Sequence, residues 1–242
     1  MKSLKNWFLV LSVLSCFGCS SSVHEDGRGC AFVSDSIQYR VEFMSEGCVR
    51  ILSFPEGDTL VTKRLVVDSQ KPAFKDYKWK DTGQQLIFST RELSVAFDKE
   101  DAAFTFQEVS TGKLLLKEKE AKKARHFKRS VAGGEQCLEV TQRFVPTDDE
   151  AIYGLGQYQN GIMNYRGKSV LLLQANMDIV NPFLISTNGY GILWDNYSST
   201  KFEDTEEGYS FTSEVGDASD YYFVYGKNMD EVVAGYRELT GD

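Results

Sequence analysis

The sequence reads Tyr153-Gly154-Leu155-Gly156-Gln157 at its most distinctive point. Asn164-Tyr165-Arg166-Gly167 follows, and then Asn188-Gly189-Tyr190-Gly191-Ile192-Leu193-Trp194-Asp195-Asn196. Glycines and aromatic residues crowd together in these stretches, which indicates sharp bends and close packing where a bulky side chain would clash. The first stretch lacks the Gly-x-Gly-x-x-Gly spacing, and no helical stripe follows it. We therefore expect no nucleotide-binding loop there.

On both sides of these stretches, the sequence contains short segments in which apolar and polar residues alternate. Residues 37–43 and 49–54 alternate apolar and polar side chains at period two, which predicts strands with one face toward a core. Further strands are predicted at 85–89, 93–97, 103–108, 113–117, 183–187, 191–195, 202–203, 209–212 and 221–225. Strands this short, about ten residues apart, favour an antiparallel arrangement over alternating β-α units. We predict an all-β fold, an antiparallel β-sandwich over residues 30–226.

One short helix is predicted near the C-terminus. Asn228 is a suitable N-cap, and Asp230 and Glu231 stand in the first turn, where acidic side chains favour the helix dipole. Gly241 supplies the stop. The apolar residues fall on one stripe, namely Met229, Val232, Val233, Tyr236 and Leu239. Residues 227–242 should therefore form a helix that leads out of the sandwich.

The first 22 residues have the pattern of a lipoprotein signal peptide. Two lysines precede an apolar run at 7–14, which is shorter than the roughly 20 residues of a membrane-spanning helix. Cys16 completes a lipobox and is the predicted lipidation site, with Cys19 as a second register. An ordinary cleaved signal peptide and an internal core segment are the alternatives. Residues 23–29 are predicted to be a tether, and we expect an exported bacterial lipoprotein of the periplasm or outer membrane, held there only by its lipid.

Composition excludes several classes of function. Hydrophobic residues make up 42% of the chain and aromatic residues 13%, which argues against disorder. A net charge of -8 gives no reason to bind nucleic acid, whose phosphates attract basic residues. With Cys16 lipidated, the remaining four of the five cysteines contain no Cys-x-x-Cys pair that would indicate a zinc or redox site, and one disulfide stays possible. His24 and His126 are poorly placed for a metal site or a catalytic triad, so no metal and no cofactor is expected.

Over residues 30–242 the glycine-rich stretches resemble, in order and spacing, the N-terminal galactose mutarotase-like β-sandwich of glycoside hydrolase family 31. This is the α-glucosidase and α-xylosidase family. The resemblance implies a partner, the family's catalytic (β/α)8 barrel, expected to begin at about Asp242. The family takes both catalytic carboxylates from that barrel, so we predict no catalytic residue in this chain.

The resemblance also implies a sugar-contacting loop. In the family, the turn at Gly154 and Gly156 leads toward the mouth of the active site. Amides and carboxylates bridge adjacent sugar hydroxyls, and aromatic rings cover the apolar face of a pyranose. The predicted substrate-binding residues are Tyr165, Arg166, Gln174, Asn176 and Asp178. For any one of them, ordinary turn chemistry is the alternative.

Among these predicted contacts, Asn176 is the one for which the resemblance implies the most definite role. Many α-glucosidases of the family carry an Asn-Arg-Asp stretch whose aspartate reaches the first sugar, and Gln174-Ala175-Asn176 matches it by position. The arginine and the aspartate are absent here. This departure favours a smaller, xylose-like sugar over glucose.

Other conspicuous residues have structural explanations. Tyr190 and Trp194 lie on an alternating strand, where large aromatic side chains mainly bury area. The acidic pairs at 148–149 and 206–207 are adjacent in sequence, so on a strand they would point to opposite faces and cannot form an acid/base pair. We expect these acids to be solvated.

The function predicted from these patterns is the N-terminal domain of an exported α-glycosidase, with α-xylosidase favoured over α-glucosidase. Such a domain would support the barrel, contribute a loop to the site for an α-linked oligosaccharide, and have no activity alone. The alternative is a stand-alone carbohydrate-binding surface lipoprotein. A finished binding module, however, has no need of an outgoing helix.

Overall fold

The computed structural model describes residues 22–58, 65–68, 72–120 and 126–241. Cys16 and Cys19, and the signal-peptide prediction that depends on them, lie outside this range. Among the described residues no helix is both long and apolar enough to span a bilayer.

Eighteen strands and one helix are found in the described part of the chain. They are β1 (His24–Glu25), β2 (Cys30–Ser34), β3 (Ile37–Phe43), β4 (Cys48–Pro55), β5 (Lys78–Asp81), β6 (Gln85–Ser89), β7 (Leu93–Asp98), β8 (Ala103–Glu108), β9 (Leu114–Glu118), β10 (His126–Ala132), β11 (Glu135–Val145), β12 (Ile152–Gln157), β13 (Ser169–Leu172), β14 (Ile179–Ser186), β15 (Tyr190–Trp194), β16 (Thr200–Thr205), β17 (Gly208–Gly216), β18 (Ser219–Tyr225) and α1 (Met229–Thr240).

The strands form two antiparallel sheets, which confirms the predicted β-sandwich. Sheet A has the order β1-β2-β3-β4-β18-β15-β14-β12, and sheet B has the order β13-β16-β17-β11-β9-β8-β7-β6-β5, with β10 paired to β11. Strands β12 and β13 follow each other in the chain and lie at the ends of the two different sheets. The segment 158–168 therefore crosses from one sheet to the other at this side of the sandwich.

Alternating side chains build the core between the sheets. Along β7, Leu93, Val95 and Phe97 are fully buried, while the residues between them are partly exposed. Aromatic rings fill much of the space, and Phe106 of sheet B stacks on Phe223 of sheet A with 4.2 Å between ring centroids. Such pairs add about 0.5–1.5 kcal/mol each beyond the area they bury.

Helix α1 covers the outer face of sheet A. Val232 and Leu239 are buried in a second apolar cluster with Phe183 of β14. The ring of Tyr236 stacks on Phe183 at 4.1 Å. Sheet A is therefore buried on both faces beneath the helix.

The start of the helix has the predicted cap. The side chain of Asn228 accepts a hydrogen bond from the backbone N–H of Glu231 at 2.9 Å, and the Glu231 carboxylate accepts one from the N–H of Lys227 at 2.9 Å. The first bond satisfies a backbone donor that the start of the helix leaves without a partner, and the second ties the residue before the cap to the first turn. At the other end the N–H of Gly241 donates to Arg237 O.

At its N-terminal edge, sheet A begins within the segment predicted as a tether. Strand β1 pairs with Cys30 and Ala31 of β2. Among the described cysteines, Cys30 and Cys48 are buried and Cys137 is partly buried, and no disulfide joins any two of them.

Candidate functional site

A bulge in β12 shapes the edge of sheet A. The register against β14 shifts between Gly154 and Gly156, and Leu155 between them has a positive φ of 65°. Gly156 has a φ of 118°, and a Cβ placed there would lie 2.1 Å from the carbonyl oxygen of Ile179. Only glycine fits this backbone, which agrees with the close packing expected from the sequence.

The segment between β12 and β13 is tied to the sandwich by Asn164. Its side-chain oxygen accepts hydrogen bonds from the N–H groups of Ile152 at 3.1 Å and Arg166 at 3.0 Å. Tyr165 is 3% exposed and packs edge to face against Phe202 in the core. In this structure the ring of Tyr165 is therefore a packing element of the sandwich, without an exposed face.

Arg166 forms an ion pair with a buried carboxylate. Its Nη1 atom lies 3.2 Å from Asp204, whose side chain is 2% exposed. The same carboxylate accepts a hydrogen bond from the N–H of Gly167 at 2.6 Å. These contacts fix residues 166–167 against β16.

Arg166 also interacts electrostatically with a second buried carboxylate, that of Glu150. Glu150 accepts hydrogen bonds from Tyr190 Oη at 2.8 Å and Ser186 Oγ at 3.1 Å, and Tyr190 Oη lies 3.2 Å from Tyr209 Oη. Burial raises the pKa of Glu150, while the hydrogen bonds and the positive charge of Arg166 act in the opposite direction. Arg166 thus offsets negative charge at two buried carboxylates.

The turn at 175–178 presents Asn176. Gln174 clamps this turn, because its Nε2 donates to Asp178 O at 2.8 Å and its Oε1 accepts from Val180 N at 3.1 Å. Asn176 is exposed at the tip, and Met177 beside it has a positive φ of 71° and is 64% exposed. The amide of Gln174 is thus engaged in holding the turn.

Tyr158 links the turn to the crossing segment. The side chain is half-buried, and its hydroxyl donates to Leu155 O at 3.0 Å. Burial, together with the nearby groups of Tyr165 and Asp178, raises the pKa of Tyr158 to about 12. The predicted residues on the two loops are therefore neighbours of one tyrosine.

The five predicted residues divide into two sets. Gln174, Asn176 and Asp178 form one turn at the surface, whereas Tyr165 and Arg166 hold the segment beneath. Contact of any of them with a sugar stays a prediction.

The structural explanations predicted for the conspicuous aromatic and acidic residues are confirmed. Trp194 is fully buried, and its Nε1 donates to Ser213 Oγ at 2.9 Å. Tyr190 is also fully buried. The acidic pairs at 148–149 and 206–207 are exposed.

A family model covers most of this architecture. Residues 38–203 match the glycosyl hydrolase 31 N-terminal galactose mutarotase-like domain. The chain belongs to glycoside hydrolase family 31.

Curated relatives from family 31 are considerably longer than this chain. The alpha-xylosidase of Saccharolobus solfataricus is 33% identical over 222 residues, which cover 86% of this chain and 29% of the xylosidase. Alpha-glucosidase 2 of Bacillus thermoamyloliquefaciens is 26% identical over 230 residues, which cover 87% of this chain and 27% of that enzyme. The chain thus spans less than a third of either relative.

Solved family 31 structures have the same fold. An alpha-xylosidase from Xanthomonas citri matches with a TM-score of 0.79 at 20% identity, over 90% of this chain and 40% of that one. An alpha-xylosidase from a soil metagenome, complexed with xylose, matches with a TM-score of 0.78 at 22% identity, over 91% and 35% of the two chains. At identities of 20% and 22%, these structural matches show that this chain has the same fold as the corresponding part of each enzyme.

Sequence reasoning missed Asp204, which anchors the crossing segment of this family 31 domain. The sequence pattern could have revealed it, because every second residue of β16 is buried, and Asp204 falls in this buried set with Thr200 and Phe202. A carboxylate in that set requires a partner. Arg166 and the N–H of Gly167 meet this requirement.

Proposed function

We propose that this chain is the N-terminal domain of an exported α-glycosidase, with α-xylosidase the favoured activity. In this proposal the domain supports a catalytic barrel and contributes the turn at 175–178 to the sugar site. The domain alone does not cleave glycosides. Lipidation of Cys16, or of Cys19 in the alternative register, holds the protein at the membrane.

The observation that carries the proposal is the match to the alpha-xylosidase of Saccharolobus solfataricus. It covers 86% of this chain but only 29% of the relative. In a retaining glycosidase two carboxyl groups stand about 5–5.5 Å apart across the scissile bond. Family resemblance assigns both groups to a barrel that would correspond to the rest of the relative.

The geometry of the turn supports a role in sugar binding. Asn176 is exposed on a backbone that the Gln174 amide and the Ala175–Asp178 bridge hold in place. A binding group held in advance loses little conformational entropy when the ligand arrives. Asn176 and Asp178 are the proposed sugar contacts, and Gln174 positions them.

Activity measurements test the proposal. The purified chain should give no turnover of an aryl α-xyloside or aryl α-glucoside above a no-protein control. A chimera in which this chain replaces the corresponding 29% of the Saccharolobus enzyme should hydrolyse the α-xyloside. Turnover by the chain alone that is lost on mutating one of its acidic residues would contradict the proposal. A folded but inactive chimera would contradict the assigned role as well.

A further inference from the structure

A cavity of about 350 Å³ opens beside the turn at 175–178. Its apolar wall is formed by the end of β13, the start of β14 and the end of β15, with Leu172, Pro182 and Leu193 among the lining residues. Its polar wall is the segment 195–200, and Gln174 lines it as well. The volume lies within the range of small-molecule sites, which is roughly 300–1,000 Å³.

Tyr197 stands at this cavity with its ring held in place. The residue is 53% exposed, yet its hydroxyl donates to Asp195 Oδ1 at 2.6 Å and accepts from the N–H of Leu65 at 2.8 Å. Burial of the hydroxyl and the bond to Asp195 raise the pKa of Tyr197 to about 12, so the phenol stays protonated at neutral pH. An exposed tyrosine with a free hydroxyl would rotate, whereas this one presents a fixed aromatic face.

The polar wall is also ordered before any ligand arrives. Asn196 Oδ1 accepts hydrogen bonds from the N–H and the hydroxyl of Ser198, both at 2.8 Å. Asn196 Nδ2 donates to Val215 O at 3.0 Å. Hydrogen bonds of Asn196 and Ser198, the residues before and after Tyr197, therefore hold this segment in place.

Charge restricts what the cavity can bind. Among the described residues that line it, none is lysine, arginine or histidine, and Asp195 supplies the carboxylate. An anionic ligand would meet no positive charge and one negative charge. The lining instead suits a neutral molecule with one apolar face and a hydroxyl-bearing edge.

We propose that this cavity binds one unit of a neutral saccharide, whose apolar ring face lies on Tyr197 and whose hydroxyl groups meet the polar wall. The site is non-catalytic and is distinct from the proposed contacts of Asn176. Because Gln174 lines the cavity and also clamps the turn, the saccharide unit would lie beside the turn. This inference does not require the barrel, so the isolated chain tests it.

The test is a binding titration of the purified chain with methyl α-D-xylopyranoside, followed by ligand-observed NMR and by intrinsic tryptophan fluorescence, to which Trp194 at the cavity wall contributes. For one sugar ring we expect a dissociation constant on the order of 1–10 mM. Methyl α-D-glucuronide, which carries a carboxylate, should bind at least about tenfold more weakly, because charges this close repel.

Two variants and a control locate the site. Tyr197→Ala removes the aromatic face and should weaken binding about tenfold, and Tyr197→Phe keeps the ring without its hydrogen bonds and should weaken it about threefold. Trp79→Ala alters a partly exposed ring on the other edge strand of sheet B and should leave binding unchanged. Circular dichroism melting checks that each variant is folded.

Other outcomes overturn the inference. Absence of saturable binding, or equal affinity of the parent chain and a folded Tyr197→Ala variant, removes the site. Equal affinity for the glucuronide removes the argument from charge. None of these results bears on the activity of the chimera, so the proposed function stands or fails separately.

Discussion

Replacing Arg166 by alanine tests whether this residue serves the fold or the sugar. The change removes the ion-pair partner of Asp204, whose side chain is 2% exposed in the structure, and leaves the N–H of Gly167 as its remaining described donor. Removing one partner of a buried ion pair costs about 3–5 kcal/mol. Because the Arg166 side chain is 25% exposed, we expect the lower end, a loss of about 3 kcal/mol in the free energy of unfolding.

Urea denaturation at pH 7, followed by fluorescence, measures this loss. A domain of this size should also melt roughly 6–12 °C lower. Arg166→Lys keeps the charge but not the planar fork, so it should lose less than the alanine variant. Asp204→Asn in both backgrounds completes a double-mutant cycle, which should give a coupling energy of about 1–3 kcal/mol.

A small effect would refute this reasoning. If Arg166→Ala lowers the free energy of unfolding by less than about 1 kcal/mol, the ion pair behaves as an exposed one. If that variant also impairs the chimera's use of an α-xyloside, Arg166 belongs with the sugar contacts, as the sequence predicted.

Three further predictions concern the core, pH dependence and the anchor. Trp194→Ala should lower the free energy of unfolding by about 3–5 kcal/mol in urea denaturation, because a fully buried ring is lost; a loss below about 1 kcal/mol would contradict its core role. Burial raises the folded-state pKa of Glu150 above its ordinary value of 4.5. Its contribution to stability is therefore greatest below pH 4.5 and declines as pH rises through the folded-state pKa. The stability difference between the parent chain and Glu150→Gln, measured from pH 4 to pH 7, should change in this direction, and a constant difference would exclude the shift. Cys16→Ala should abolish fatty-acid labelling and release the protein from membranes. Labelling that persists in Cys16→Ala but disappears in Cys19→Ala would instead assign the second register.

Much of the fold could be predicted because alternation and caps are local signals. Strands β6 and β8 have the predicted bounds, and α1 begins after its predicted cap at Asn228. Strand β11 was not predicted. Thr141 and Gln142 are polar and adjacent, yet both are buried, so the sequence of this strand does not alternate between apolar and polar residues. Strand β5 was missed because all four of its residues are exposed.

Strand β14 begins earlier than predicted, and Pro182 explains the difference. A proline usually ends a strand, since it has no N–H for the ladder. Here it falls where pairing with β12 shifts register and before pairing with β15 begins at Phe183. The bulge that Gly154 and Gly156 create thus accommodates the proline, and this long-range fit has no local signature.

The candidate site was predictable in composition but not in geometry. Amides and a carboxylate at 174–178 indicated a polar binding loop. The engagement of Gln174 in a clamp depends on backbone conformation, including the positive φ of Met177. The burial of Tyr165 depends on Phe202, which lies 37 residues away in the chain.

The central claim is that the turn at 175–178 contributes to a sugar site completed by a catalytic barrel. The most direct measurement is kcat/KM for an aryl α-xyloside in the chimera, with Asn176→Ala compared with Gln84→Ala. Gln84 is an exposed amide in the β5–β6 hairpin, at the opposite edge of sheet B. A lost hydrogen bond to substrate is worth about 0.5–1.5 kcal/mol, so Asn176→Ala should lower kcat/KM roughly threefold to tenfold while melting stays unchanged. Gln84→Ala should match the parent chimera. Equal kcat/KM in all three folded proteins would contradict the claim.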